Sequence, residues 1–189
     1  MKKEANQALE PTTLAVMPCA PSRTSHASQG RGSSLTLGEY MTLSPLLGKN
    51  LKDDEIIELL DDHGIAVVYD FDRLHENTPD KYWAAAPTAG FQCRFDAAQV
   101  LDVIFMYVVA DGDFTAIDPA VSGLPMLSTV PEVERHASET GDRCVIGHSR
   151  DTTGLLREWA LIDQGDRRVH YEFREGVLSL VTLSLQKKS

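Results

Sequence analysis

Two stretches of the chain share one pattern of apolar residues, and this similarity constrains the fold more than any other feature. In each stretch, five residues that end in phenylalanine are followed by a short turn and nine mostly apolar residues: 91–95 and 100–108, then 169–173 and 177–185. The two phenylalanines, Phe95 and Phe173, are 78 positions apart. Self-similarity at a nearly fixed spacing indicates a repeated structural unit. The sequence therefore predicts two similar β-hairpins.

Apolar and polar residues alternate in the first strand of each hairpin. In the second hairpin Val169, Tyr171 and Phe173 alternate with polar residues, and in the first hairpin Phe91 and Phe95 flank Cys93 with the same period. A period of two places alternate side chains on opposite sides of a strand. We therefore expect an antiparallel sheet with one buried side.

A helix is predicted before each hairpin, at residues 50–64 and 129–141, because apolar residues recur at helical spacing and glycine follows each segment. Strands are predicted at residues 65–71, 81–86 and 155–162, and a polar loop at 148–154. The predicted fold class is α+β. Two similar halves, about 46–110 and 124–186, would each be a helix followed by an antiparallel β-meander. They would share one extended sheet or pack together as one compact unit.

This layout resembles the tandem modules of the β-lactamase inhibitory proteins and related small lipoprotein modules. The resemblance is one of architecture and carries no signature motif. It implies a fold with two similar modules, but a layout alone does not name a function.

Residues 1–37 differ from the rest in composition, with proline, serine, threonine and glycine and no apolar period. Such a segment buries too little apolar surface to offset the entropy of ordering, so a flexible leader is predicted before a single domain at 38–189. Residues 6–13, 20–23 and 30–34 resemble translated recombination-site sequence of integron gene cassettes. The resemblance implies a cassette-encoded bacterial protein, in a class whose members mostly have unknown functions, and it transfers no catalytic residue.

The chain carries 18 Lys and Arg residues against 28 Asp and Glu, a formal net charge of -10. Such a charge repels phosphate backbones and anionic lipid, so neither nucleic acid nor a membrane is a predicted partner. Basic ligands or basic protein surfaces are better candidates. The three cysteines have no close spacing, which argues against disulfides or a zinc site and favours a reducing cytoplasm. No cofactor is predicted.

The densest polar cluster follows the strand at 65–71. Asp70 and Asp72 would point to one side at the strand end, with His75 and Glu76 in the next loop. Carboxylates and an imidazole can hold a divalent ion, but a solvated junction in an acidic protein has the same composition, and we favour the junction. Tyr82 and Trp83 lie in the next predicted strand; Trp83, followed by three alanines, could line a small pocket.

Motifs for covalent catalysis are weak. Residues 147–149 resemble part of a nucleophile elbow, but Asp151 stands where that motif requires glycine. Cys144 and His148 lie close in sequence without the third group of a thiol nucleophile. An enzymatic role is therefore not favoured.

The last strand of the first hairpin is apolar on both sides, since Phe105 and Tyr107 alternate with Ile104 and Met106. An apolar outer side requires a cover: the other half, a second subunit or a ligand. The favoured function is a non-enzymatic binding protein (an inhibitor, immunity-type or adaptor protein) that uses an acidic sheet face to bind a protein partner. The alternative is a small-molecule-binding or metal-assisted hydrolytic protein. Its pocket would lie near Asp70, Asp72, His75 and Trp83.

Phe105 and Tyr107 also predict a homo-oligomer, most simply a two-fold dimer, because self-association would cover both rings. In light scattering such a dimer would have about twice the 20.8 kDa chain mass. A monomer at every concentration would contradict this prediction.

Overall fold

The computed structural model describes residues 41–71, 79–150 and 152–186. Three α-helices occur in this part of the chain: α1 (Asp54–Asp62), α2 (Pro119–Ser122) and α3 (Val130–Thr140). The predicted flexible leader at residues 1–37 lies outside the described residues. No helix within the described ranges is both long and apolar enough to cross a membrane.

Eight strands make one antiparallel sheet in the order β1-β2-β3-β4-β8-β7-β6-β5. Their bounds are β1 (Val67–Asp70), β2 (Lys81–Ala86), β3 (Phe91–Phe95), β4 (Leu101–Tyr107), β5 (Arg143–Arg150), β6 (Leu156–Asp163), β7 (Arg167–Arg174) and β8 (Val177–Leu185). Each set of four consecutive strands is a meander, and the last strands of the two meanders, β4 and β8, lie side by side.

The predicted fold class, an α+β domain of two similar halves with a helix and a meander each, is therefore wrong. The described residues form mainly one eight-stranded sheet with a few short helices. The helices are short, nine residues in α1 and eleven in α3, and residues 143–150 add a strand that the sequence did not predict, so strand outweighs helix. The meanders join through β4 and β8, where Ile104 pairs with Leu183 and Met106 with Val181. A shared sheet of this kind was one of the two arrangements expected, and it satisfies the backbone groups of both strands. The proposed repeats at 46–110 and 124–186 stay a prediction.

The alternation predicted for the hairpins is confirmed. Phe91, Phe95, Tyr171 and Phe173 are at most 1% exposed, and the residues between them are partly exposed. The side chains that point to this buried side of the sheet form one hydrophobic core with both longer helices.

The two longer helices cover the same side of the sheet. Helix α1 buries Ile56 and Leu59 in the core, and α3 buries Val133 and Ala137. The N-terminus of α3 is fixed by Thr129, whose hydroxyl oxygen accepts a hydrogen bond from the amide of Glu132. We call the covered side the helix-side face and the opposite side of the sheet the open face.

The sequence did not predict strand β5, because residues 148–154 were expected to be a polar loop. Residues 143–150 are a strand at the edge of the sheet. Most of its side chains are exposed, and Val145 and Ile146 are 36% and 42% exposed. An edge strand with little burial on either side has no apolar alternation to detect.

Gly90, in the connection before β3, is closely surrounded by backbone atoms. It adopts a left-handed conformation with φ of 74°, and a Cβ there would lie 2.5 Å from the backbone nitrogen of Ile117. Gly141, at the end of α3, has a similar φ of 77° and nothing within 4 Å of the same position.

We expect Gly141→Ala to lower the free energy of unfolding by about 1–2 kcal/mol, from left-handed strain alone. Gly90→Ala adds overpacking against rigid backbone, so its cost should be about 3 kcal/mol or more. Urea unfolding followed by circular dichroism measures both. Equal losses would show that the space at Gly90 is not restricted.

Candidate functional site: the open face of the sheet

The open face carries large aromatic side chains and no helical layer among the described residues. The buried residues of α1 and α3 all belong to the core on the helix-side face. By strand register, the aromatic rings on the open face belong to Trp83, Phe105, Tyr107, Trp159 and His170. All five are partly exposed. We call this set the aromatic row.

Trp83 and Phe105 form one end of the aromatic row. Their ring centroids are 6.2 Å apart and the planes differ by 26°, an offset stack. Trp83 lies on β2 and Phe105 on β4, so the stack bridges over β3. The contact holds the indole in place from one side.

An open depression of about 520 Å³ lies beside Trp83. Its lining comes mainly from β1, β2 and the start of β3: Ala66, Val68, Tyr69, Asp70, Trp83, Ala85 and Gln92. The two alanines leave space next to the indole because their side chains are single methyl groups. The depression therefore brings together Asp70 and Trp83, two of the residues predicted to form a pocket.

Other predicted site residues lie elsewhere. Tyr82 points to the helix-side face, where it stacks on Tyr69 at a centroid distance of 4.9 Å. The hydroxyl of Tyr69 donates a 2.6 Å hydrogen bond to Asp80, which raises the pKa of Tyr69 to about 12. The sequence predicted Tyr82 as a candidate binding residue. In the structure Tyr82 lies on the opposite side of the sheet from this depression.

Asp72, His75 and Glu76 lie outside the described residues. Within ranges 41–71, 79–150 and 152–186, no group of three or more His, Cys, Asp or Glu side chains is placed to hold a metal ion. Of the residues considered for a metal ion, the structure describes only Asp70. The solvated junction stays the favoured prediction, and the metal site stays the alternative to it.

Tyr107 is covered by its own chain. Its ring stacks on Phe114 with a centroid distance of 4.1 Å and an interplanar angle of 15°. Burial, and then the charge of Asp111, raise the pKa of Tyr107, while Arg174 opposes the shift. Sequence analysis missed Phe114 because it lies in an irregular connection where no period marks it. Part of the cover expected from a subunit or ligand is thus internal.

Trp159 lies on the open face of the sheet and not in the core. A Cβ at Gly147 would lie 2.2 Å from the Cζ2 atom of Trp159, so the indole rests directly on the glycine backbone. On its other side the ring is 5.8 Å from His170. Only glycine at position 147 allows this approach.

The open face is not acidic. Its described strands carry six basic side chains, Lys81, Arg94, Arg143, Arg157, Arg168 and Arg174, against four acidic ones, Asp70, Asp102, Asp163 and Glu172. The excess acid lies on the helices instead, where five of the nine residues of α1 are Asp or Glu. This count does not favour the acidic sheet face expected from the composition. The number of acidic residues in a sequence does not show which side of a sheet they occupy.

Several of these charges are paired. Arg94 donates two hydrogen bonds, of 2.9 and 3.0 Å, to the carboxylate of buried Asp102. Arg174 contacts Asp111 at 2.8 Å and Glu172 at 3.3 Å. A bidentate pair fixes the orientation of both side chains. The face is therefore a pre-formed surface rather than a set of free charged side chains.

The described thiols are unsuited to nucleophilic catalysis. Burial raises the pKa of Cys93 to about 12, and burial together with Glu134 raises the pKa of Cys144. A thiolate is the reactive form, so both groups are held in the inert form at neutral pH. Residues 147–149 lie inside strand β5, which also removes the strand-turn-helix context of a nucleophile elbow.

His170, on the open face, should make the free energy of unfolding depend on pH. Burial lowers the pKa of His170 below its ordinary value of 6.5, and Glu172 opposes the shift. The unfolded chain then takes up a proton near pH 6.5, while the folded protein does so only at lower pH. The free energy of unfolding should therefore fall as the pH drops below about 6.5.

We expect His170→Gln to reduce the loss of stability between pH 7.5 and 5.5, measured by urea unfolding. His148→Gln is the matched control, because His148 is exposed on β5. The control should lose as much stability as the unmodified protein. Identical pH profiles for all three proteins would contradict a buried neutral imidazole at position 170.

Comparison with other proteins does not assign this chain to a family. Neither the resemblance of residues 6–13 to cassette recombination sequence nor the layout resemblance gains support from a relative, and both stay predictions. The function must be argued from the side chains of the open face. No family model, no curated protein and no solved structure matches the chain.

Proposed function

We propose that this protein is a non-enzymatic binding protein that docks a protein partner on the open face of its sheet. The observation that carries the proposal is the aromatic row, which no described helix covers. Large rings on a soluble surface are retained at a cost in solubility, and their usual role is contact with another molecule.

The composition of the open face supports a protein partner. Trp, Tyr and Arg are the residues that most often dominate binding energy at interfaces, and all three lie here. Trp83, Trp159 and Tyr107 are held by neighbouring rings or by a glycine. Side chains that are already ordered lose little entropy on binding.

The size of the open face is also suitable. Eight strands spaced by about 4.8 Å span about 34 Å, and the shared strand length is about 20 Å. The resulting surface of roughly 700 Å² approaches the ~800 Å² that each partner contributes to a standard interface.

The charges favour a partner that differs from this chain. The basic excess on the open face complements an acidic surface. A second copy could offer its acidic α1, but a contact between two different surfaces of one chain builds rings or open filaments and not a two-fold dimer. We therefore propose a separate protein with an acidic contact surface. A cytoplasmic, cassette-encoded bacterial origin belongs to the same proposal.

A small-molecule ligand is a second candidate, and the depression beside Trp83 favours it. Metal-assisted hydrolysis would need Asp72 and His75, on which the described residues give no geometry.

Site-specific photo-crosslinking in bacteria tests the docking surface. Thr182 lies at the centre of the open face, paired with Phe105 on one side and His170 on the other. Benzoylphenylalanine at Thr182 should give an adduct heavier than the 20.8 kDa chain, whereas the same residue at exposed Glu134 on α3 should give none. Phe105→Ser should remove the adduct, and Ile57→Ser, at an exposed apolar residue of α1, should not.

Circular dichroism establishes that each variant is folded. Absence of an adduct at Thr182, or equal adducts at both positions, would overturn the proposal. An adduct of twice the chain mass would show a second copy on this face and would overturn the assignment to a different protein.

A further inference from the structure

We propose that the depression beside Trp83 binds an organic cation, an alkylammonium or guanidinium group, between the indole and the carboxylate of Asp70. This inference goes beyond the docking of a protein, because it assigns a ligand class to one end of the open face. It rests on the shape of the depression, the position of the Trp83 indole and the exposure of the Asp70 carboxylate.

The shape comes from the register of β1, β2 and β3. Val68 lies opposite Trp83, and Ala85 lies opposite Gln92, all on the open face. Ala66, Val68, Trp83 and Ala85 all line the depression, and each of the two alanines contributes only a methyl group. About 520 Å³ of open space is ample for a group the size of a trimethylammonium.

The indole is held so that it can present a ring surface. Phe105 stacks on Trp83 but does not line the depression, whereas Trp83 does. The ring therefore has a neighbour on one side and open space on another. The faces of aromatic rings carry negative charge density, and tryptophan attracts cations most strongly.

Asp70 supplies the charge. Its side chain is exposed, and no basic group among the described residues lies within 4.0 Å of its carboxylate. Lys81 is its partner in the strand register, but Lys81 lines a different depression, together with Arg94 and Asp102. A carboxylate and an aromatic face on one depression favour a cation over an anion or a neutral group.

Choline and its neutral isostere 3,3-dimethylbutan-1-ol test the proposal, because they differ in charge and not in shape. Binding is followed by saturation-transfer NMR on the ligand methyl protons with the full-length protein. We expect a dissociation constant on the order of 1 mM for choline, since one ring and one exposed carboxylate are weak contacts. The neutral isostere should bind at least about ten-fold more weakly.

Variants separate the two contacts. Asp70→Asn should weaken choline binding about five- to ten-fold, and Trp83→Leu should abolish it. Asp113→Asn is the matched control, since it removes one exposed carboxylate elsewhere and leaves the net charge equal to that of Asp70→Asn. Lys81→Met should strengthen binding about two-fold by removing a nearby positive charge.

Equal binding of choline and its neutral isostere, or equal affinities of Asp70→Asn and Asp113→Asn, would overturn the proposal. N-acetyl-lysine methylamide in place of choline distinguishes a lysine side chain of a partner from a free quaternary amine. Tighter binding of choline would assign the site to a free cation, and tighter binding of the lysine derivative to a protein segment. Crosslinking at Thr182 is independent of these outcomes, so the two proposals can fail separately.

Discussion

The pairing of β4 with β8 is the interaction on which the rest of the structure depends. Met106 and Val181 face each other across it, and both are fully buried. These strands lie far apart in the chain, so the pairing requires closure of a long loop before it is stabilised by burial. Without it, each meander would end in an apolar strand with unpaired backbone groups. With it, one sheet supports a single core on one side and a broad surface on the other.

That difference between the two sides governs the chemistry available to the protein. The helices place hydrophobic contacts and most of their acidic residues on one side, and the aromatic row lies on the other. Rings such as Trp83 and Trp159 remain ordered without a covering layer because neighbouring side chains or backbone fix them. A surface of this kind is suited to binding, since its shape exists before the ligand arrives.

Local features of the sequence predicted much of this fold. The alternation around Cys93 and Tyr171 identified β3 and β7, and the helical spacing of Val133 and Ala137 identified α3. The fold class was wrong because the two predicted helices are short and a further strand, β5, lies where a loop was expected. Strand β5 was missed because an edge strand with exposed side chains has no pattern of burial.

The candidate site was predictable only in part. Asp70 and Trp83 were identified by residue type, but the alanines and Val68 that shape the depression have no chemistry that marks them in a sequence. Phe114 was missed since its role depends on where an irregular connection returns to the sheet. The charge balance of the open face could not be predicted because composition is a property of the whole chain and not of one surface.

The exposed edge at β5 has a consequence for solubility. Arginine occupies both ends of this edge strand, at Arg143 and Arg150, and by register the two side chains point to opposite sides of the sheet. A strand of a second copy that paired along β5 would therefore meet a positive charge at each end and on each side. Charges on an edge strand disfavour such pairing, which exposed Val145 and Ile146 would otherwise favour.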